Sequence, residues 1–205
     1  MVYIQPNTIK KLLFVLVLSG IYATVRYVIY GGVYWTHIPV YILNKTIAVA
    51  SVIALFISAT GHVRENRDIS REWGVLSLHM AVLHVLLSLI ILTPNYFMYW
   101  FSPDGKLNLL GELTSSAGAL ATYFYFMLVF SKNGTKAMAI YKLLVVLAVG
   151  AHIFIMGYEG WAAYDKWHGG MPPITIWSFI FTLGAGYIFI RHMNIQPHAE
   201  ARAEK

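Results

Sequence analysis

Six long apolar runs occupy most of this sequence, and they constrain its fold more than any other feature. Each is close to the roughly 20 residues that an α-helix needs to cross the hydrocarbon core of a bilayer. The sequence therefore predicts an all-α membrane protein, a bundle of six transmembrane helices. We expect the spans at Leu12–Tyr30, Ile38–Thr60, Trp73–Leu92, Leu113–Phe130, Ile140–Met156 and Ile174–Ile190.

Composition agrees with a lipid environment and limits the chemistry. Hydrophobic residues make up 58% of the chain and charged residues 12%, against about 45–50% and about 25% in soluble domains. Cysteine is absent, which excludes thiol catalysis, iron–sulfur ligation and disulfides. Metal chemistry must therefore rest on His, carboxylate or Met side chains.

Basic residues are divided unevenly between the two sides of the predicted bundle. The net charge of +6 comes from residues in short loops, so membrane topology explains it and no nucleic-acid partner is predicted. By the positive-inside rule, the basic side is cytoplasmic and carries both termini. The opposite loops contain Lys106 and Lys166. The cytoplasmic side has eleven basic residues: Lys10, Lys11, Arg64, Arg67, Arg71, Lys132, Lys136, Lys142, Arg191, Arg202 and Lys205.

Three histidines, His79, His84 and His152, lie within predicted spans. An ionisable side chain in the membrane is costly unless it faces the bundle interior, so each is a functional candidate. The alternative is a structural hydrogen bond to a neighbouring helix.

His84 and His152 have matching depths. His84 comes thirteen residues after Arg71 and His152 ten residues after Lys142, on helices that run in the same direction. At about 1.5 Å per residue, both rings lie roughly 15–20 Å from the inner boundary. Two imidazoles at one height can ligate a haem iron from opposite faces. Three small residues near His152 leave space for a flat ring: Ala148, Gly150 and Ala151.

His79 points elsewhere, because five residues turn it roughly 140° away from His84 around the helix. We interpret it as a structural or flavin-proximal residue. The inner half of the fifth span contains no histidine, so the prediction is one haem b per chain.

Basic residues suggest further ligand contacts. Arg26 and Lys45 fall inside spans, in the half of the membrane where the haem is expected, and can neutralise its propionates. The alternative is that they snorkel to the interface. The inner loop contains Arg64, Arg67 and Arg71, which can bind the phosphate of an FMN or FAD, although topology alone also explains arginines there.

The segments "REWGVLSLHMAVLH" (Arg71–His84) and "YKLLVVLAVGAH" (Tyr141–His152) resemble the ferric reductase-like transmembrane domain. That haem-containing core is shared by ferric reductases, NADPH oxidases and the haem-binding partner of periplasmic methionine sulfoxide reductase. The resemblance implies haem ligation by His84 and His152. Two-haem members carry a second histidine thirteen residues earlier, where this chain has Arg71 and Ala139, so it looks like a single-haem member.

The resemblance implies the domain organisation and the partners as well. We expect residues 1–193 to form the six-helix domain and 194–205 a short, polar, disordered tail. Larger members also carry a flavin and nicotinamide domain, which this sequence lacks. An electron-transfer subunit of this kind needs a separate redox protein, a larger membrane complex, a quinol or a bound flavin as its donor.

The sequence thus favours a multi-pass protein of the cytoplasmic membrane that carries electrons outward. Two other function classes stay open. One is a transporter or proton channel with a relay of His79, His84 and His152, against which the span interiors offer no acidic residues. The other is a structural subunit that anchors a membrane complex.

Overall fold

Six long helices form the framework of the protein. The computed structural model describes residues 4–64, 66–131 and 135–203, and the side chains of these residues except Trp35 and 192–203. Within these ranges the only regular secondary structure is helical, apart from one isolated bridge between Phe101 and Leu107. The long helices are α1 (Pro6–Thr24), α2 (Ile38–Val63), α3 (Arg67–Ile91), α4 (Leu109–Phe130), α5 (Lys136–Trp161) and α6 (Ile174–Ala203).

Side-chain caps set the starts of three helices. The side-chain oxygens of Asn66, Asn108 and Thr135 accept hydrogen bonds from backbone N–H groups in the first turns of α3, α4 and α5. Each of these helices therefore begins about four to six residues earlier than the apolar runs indicate. As a result, Arg67 and Arg71 lie in the first turns of α3 and not in the preceding loop, which corrects the expectation from the sequence.

Helix α2 is the centre of the bundle and packs against α1, α3 and α6. Polar side chains at a spacing of seven, Asn44, Ser51 and Ser58, line its contact with α3. A seven-residue repeat keeps one face of a helix on its neighbour over several turns. We call this contact the α2–α3 seam; its hydrogen bonds join Ser58 Oγ to Ser70 O (2.7 Å), Ser51 Oγ to Ser77 O (3.0 Å) and Asn44 Nδ2 to Ser88 Oγ (3.1 Å).

Helices α4 and α5 form a second antiparallel pair, and α6 joins it to the first by packing against both α2 and α5. The main apolar core lies where α2, α4, α5 and α6 meet. It is built on the buried side chains of Leu55, Ala59, Tyr125, Val145, Val146, Ala185 and Phe189.

The outer faces of the bundle are strongly apolar. Along α1 alone, Leu13, Phe14, Val17, Leu18 and Ile21 are each more than half exposed. Soluble proteins rarely expose contiguous apolar surface on this scale. All six helices are long and apolar enough to cross a membrane, so the chain is an all-α, multi-pass membrane protein whose exposed faces suit lipid.

The carboxyl-terminal segment differs from the sequence-based expectation. Helix α6 continues to Ala203, through most of the segment 194–205 that the sequence predicted to be disordered. Residues 199–203 are Ala-Glu-Ala-Arg-Ala, all strong helix formers. These residues favour the last turn of the helix, whereas Pro197 before them does not.

Candidate functional site

The structure brings His84 on α3 and His152 on α5 side by side. Their ring centroids are 6.4 Å apart, and the ring planes cross at 73°. Both side chains are half-buried. The depths counted from the sequence placed the two rings at similar heights, and the helix packing brings them next to each other in an edge-on arrangement.

The shortest hydrogen bond of each imidazole is made by the same ring nitrogen. His84 Nδ1 donates to Asn44 Oδ1 at 2.6 Å, and His152 Nδ1 donates to the backbone oxygen of Thr114 at 2.9 Å. An amide or carbonyl oxygen can only accept, so both rings carry their proton on Nδ1. Each Nε2 therefore keeps its lone pair, which is the form of histidine that binds metals.

The spacing of the rings fits a metal ion between them. Two metal–nitrogen bonds of about 2 Å, with roughly 1 Å from each nitrogen to its ring centroid, separate opposed imidazoles by about 6 Å. The observed 6.4 Å is close to that value. Among the described residues, no group of three or more His, Asp and Glu side chains could hold a metal. The pair would thus supply two ligands. A metal held here needs further ligands from a bound group, such as the four nitrogens that a porphyrin supplies to iron.

Gly118 on α4 lies directly against the His152 ring. A Cβ at position 118 would stand 3.1 Å from His152 Nδ1 and 3.3 Å from Cε1, so no larger residue fits without moving the ring. Gly150, which the sequence analysis assigned to this space, instead faces Thr182 and Phe179 on α6. Ala151 is exposed. The space beside the imidazole therefore comes from α4.

Arg26 is buried just after the carboxyl-terminal end of α1. It is 3% exposed and lies in a π-helical turn, Val25–Ile29, a feature frequent at functional sites. Its Nη1 donates to the backbone oxygen of Met171, while its Nε has no partner within the described part of the chain. Arg26 thus ties α1 to the segment before α6 and does not snorkel to the surface.

Lys45 is adjacent to Asn44 in α2 and points toward α1. Its Nζ lies 4.6 Å from the centroid of the Tyr27 ring and 4.4 Å from that of Tyr41. Cation–π contacts of this kind stabilise a charge that water does not fully solvate. Neither Lys45 nor Arg26 forms an ion pair with an acidic side chain in residues 4–64, 66–131 and 135–203.

The other predicted site residues lie apart from the histidine pair. His79 is exposed, and its Nδ1 donates to the Val75 backbone oxygen one turn earlier at 2.8 Å. This hydrogen bond stays within α3 and does not join His79 to a neighbouring helix. The side chains of Arg64, Arg67 and Arg71 are all exposed around the α2–α3 turn.

One buried acid was missed by the sequence analysis. Glu72 is 5% exposed in α3, and its carboxylate accepts hydrogen bonds from Thr8 Oγ1 (2.5 Å) and Gln5 N (3.4 Å). Glu72 lies one residue before the span that the apolar run predicts, and it belongs to the helix because α3 begins at Arg67. Glu72 joins the start of α1 to α3, far along the helix from His84.

Three residues that hold the histidines were also missed: Asn44, Thr114 and Gly118. The seven-residue spacing of Asn44, Ser51 and Ser58 is a sequence signal for the α2–α3 seam. No comparable signal marks Thr114, since its contribution is a backbone oxygen.

The chain matches no protein-family model, and no curated protein matches it.

Proposed function

We propose that this chain is a b-type haem protein that carries electrons across the membrane, with one haem bound between His84 and His152. The observation that carries the proposal is the shared arrangement of the two rings. Both use Nδ1 for a hydrogen bond, both leave Nε2 to a metal, and their centroids are 6.4 Å apart.

Bound haem would supply an iron that alternates between the ferric and ferrous states. The residues of the chain hold and tune it. His84 and His152 would hold the iron, while Asn44 and the Thr114 backbone keep each imidazole in the metal-binding tautomer. Burial and hydrogen bonding of the two histidines would set the reduction potential, so no acid–base residue is needed.

Arg26 and Lys45 support an anionic cofactor. Two cations that are wholly or partly buried, without acidic partners among the described residues, are unfavourable unless a negative charge joins them. Haem b carries two propionates. Lys45 directly follows Asn44, the residue that contacts His84, so its amine belongs to the same part of the bundle.

The proposed direction of transfer is from the cytoplasm outward. Eleven of the fifteen Lys and Arg residues fall on one side of the six spans, which favours cytoplasmic termini in a cytoplasmic membrane. The haem would lie nearer the outer surface. A redox protein, a quinol or a flavin must then deliver electrons across the inner half, and the ferric reductase-like domain is the family that this arrangement resembles.

A flavin near the inner surface is the finer part of the proposal. Arg67 and Arg71 are one turn apart on α3, and Arg64 lies across the turn from them. Three exposed guanidinium groups can pair with a phosphate. Flavin that copurifies with the wild type, and not with the Arg64/Arg67/Arg71 triple alanine variant, would support a flavin site at these arginines. The absence of flavin from both proteins would contradict it.

A visible absorption spectrum tests the main proposal. The purified protein should show the sharp reduced bands of bis-histidine haem b, and pyridine haemochrome analysis should give one haem per chain. A protein that binds no haem in a haem-sufficient host would overturn the proposal and favour an anchor or transport role. A ratio near two would show that another histidine, such as His79, has a haem partner.

A further inference from the structure

Asn44 is the residue through which α2 reaches the histidine pair. Its side chain is 4% exposed and lies at one end of the α2–α3 seam. A buried amide must satisfy both its oxygen and its nitrogen, since an unpaired polar group there destabilises the fold. Asn44 does so with two residues of α3, Ser88 and His84.

The two ends of the Asn44 amide contact different residues of α3. Nδ2 donates to Ser88 Oγ at 3.1 Å, and Oδ1 faces His84 Nδ1 at 2.6 Å. Ser88 Oγ also lies 3.3 Å from Asn44 Oδ1 and 3.5 Å from His84 Nδ1, which closes the triangle. With the oxygen facing the ring, His84 must carry its proton on Nδ1.

His152 is held differently, because its acceptor is the Thr114 backbone oxygen. No substitution at position 114 removes a carbonyl oxygen. Asn44 is therefore the side chain by which the hydrogen bonding of the ligand pair can be altered without changing a ligand.

We propose that Asn44 is a positioning residue that holds His84 in its metal-binding tautomer and thereby sets the reduction potential of the metal between the histidines. The effect on the reduction potential rests on the proposed function, whereas the effect on the tautomer of His84 does not. An acceptor on the far nitrogen raises the basicity of a ligating imidazole and favours the more highly charged metal. A stronger acceptor lowers the potential, and loss of the acceptor raises it.

The first experiment measures the midpoint potential of the haem protein and of two variants at position 44. Asn44→Asp offers a charged acceptor, so the protein should bind ferric haem about tenfold more tightly relative to ferrous haem. For one electron this equals a fall of about 59 mV in the midpoint potential. Asn44→Leu has a similar size and leaves only the more distant Ser88 Oγ, 3.5 Å from His84 Nδ1, as an acceptor, so the potential should rise by up to a similar amount. Shifts in one direction in both variants, or no shift in either, would overturn the tuning role.

Ser51→Ala is the matched control. It removes another hydrogen bond of the α2–α3 seam, between Ser51 Oγ and the Ser77 backbone oxygen, away from His84. A seam that acts only as packing would make Ser51→Ala and Asn44→Leu alike. We expect Ser51→Ala to lower thermal stability without moving the potential; a potential shift equal to that of Asn44→Leu would show that Asn44 has no special role.

The second experiment reads the tautomer of His84 directly and needs no haem. In ¹⁵N-histidine-labelled protein prepared without haem, with the His84 signal assigned from its loss in His84→Gln, Nδ1 should be protonated in the wild type. In Asn44→Leu the proton should be shared with Nε2. A wild type that binds no haem would overturn the proposed function alone, and an unchanged tautomer in Asn44→Leu would overturn the role of Asn44.

Discussion

The two helix pairs that present the histidines hold them by different means. In the α2–α3 pair, the side chain of Asn44 accepts the His84 proton. In the α4–α5 pair, the backbone of Thr114 accepts the His152 proton, and Gly118 lets the helices approach closely enough for that contact. One imidazole is thus positioned by a replaceable side chain, the other by helix geometry.

The same contrast runs through the packing of the two pairs. The α2–α3 seam joins its helices by serine and asparagine hydrogen bonds, whereas the buried side chains of α4 and α5 are largely small or apolar, such as Ala117, Ala121 and Val145. Membrane helices associate by both routes. The hydrogen bond of His84 can therefore be altered by mutating the side chain of Asn44. Mutations near His152 can only move its ring.

Removing either histidine should have the largest effect on haem binding. His84→Ala and His152→Ala should each abolish haem retention, because one axial ligand lies on each helix pair and neither pair can replace the other's. The measurement is the ratio of haem absorbance to protein after purification. His79→Ala and His168→Ala are controls that should keep full occupancy, as both rings lie outside the pair. Full occupancy in His84→Ala or His152→Ala would show that the ligands are misassigned.

Crowding the His152 ring should have the next largest effect. In Gly118→Ala the new Cβ meets His152 Nδ1 at 3.1 Å, so the ring must shift by a few tenths of an ångström, which weakens its hydrogen bond with Thr114. Haem affinity should fall roughly 10-fold, the lower end for loss of an outer partner of a metal ligand.

Gly150→Ala is the matched control for Gly118→Ala. Its Cβ would lie 3.7 Å from Thr182 Cγ2, an ordinary contact on the opposite side of α5. Haem titration of both variants compares them. Equal losses would mean that any added methyl near His152 loosens α5, so that Gly118 has no particular part in placing the ring.

Sequence alone predicts the spans and the depth of the two histidines, because both follow from counting residues along single helices. The contacts between helices are not predictable in this way. Asn44 lies forty residues before His84, and their contact depends on the rotation and register of α2 against α3. Gly118 and Gly150 are equally small, yet only the packing decides which faces the imidazole.

The apolar runs also do not predict where the helices begin. The runs indicate where lipid begins, while caps such as Asn66 and Thr135 decide where helices begin. Because α3 begins before its apolar run, it includes Arg71 and Glu72. The carboxylate of Glu72 is buried, which hydropathy does not reveal.

A smaller effect is expected from neutralising Lys45. In Lys45→Met the cation next to Asn44 is lost, and with it the attraction to a haem propionate. Haem affinity should fall roughly fivefold, which corresponds to about 1 kcal/mol, the upper end for an ion pair that water reaches in part. Lys106→Met, on an exposed loop, is the control with no expected effect. Affinities measured by haem titration that are equal in wild type and Lys45→Met would assign Lys45 to the Tyr27 and Tyr41 contacts alone.

The smallest expected effect concerns the loop that links the two helix pairs. Ser102 Oγ donates to Asp104 Oδ1 at 2.5 Å, and Lys106 Nζ lies 3.2 Å from Oδ2. These contacts favour the carboxylate and hold the pKa of Asp104 below its usual range. A depressed carboxyl pKa contributes stability above the unfolded value of about 3.9, and this contribution is lost as the pH falls through the folded value.

Ser102→Ala removes the larger of these two contacts. The pKa of Asp104 should rise toward its usual value, measured by ¹³C-carboxyl NMR, while the haem spectrum and the midpoint potential stay unchanged. Asp104 is exposed in a turn closed by Gly105 at φ 79°, so its titration should remain local. A spectrum that changed in Ser102→Ala would show that the loop sets the position of α3 against α4, and that the two ways of holding the histidines are coupled through it.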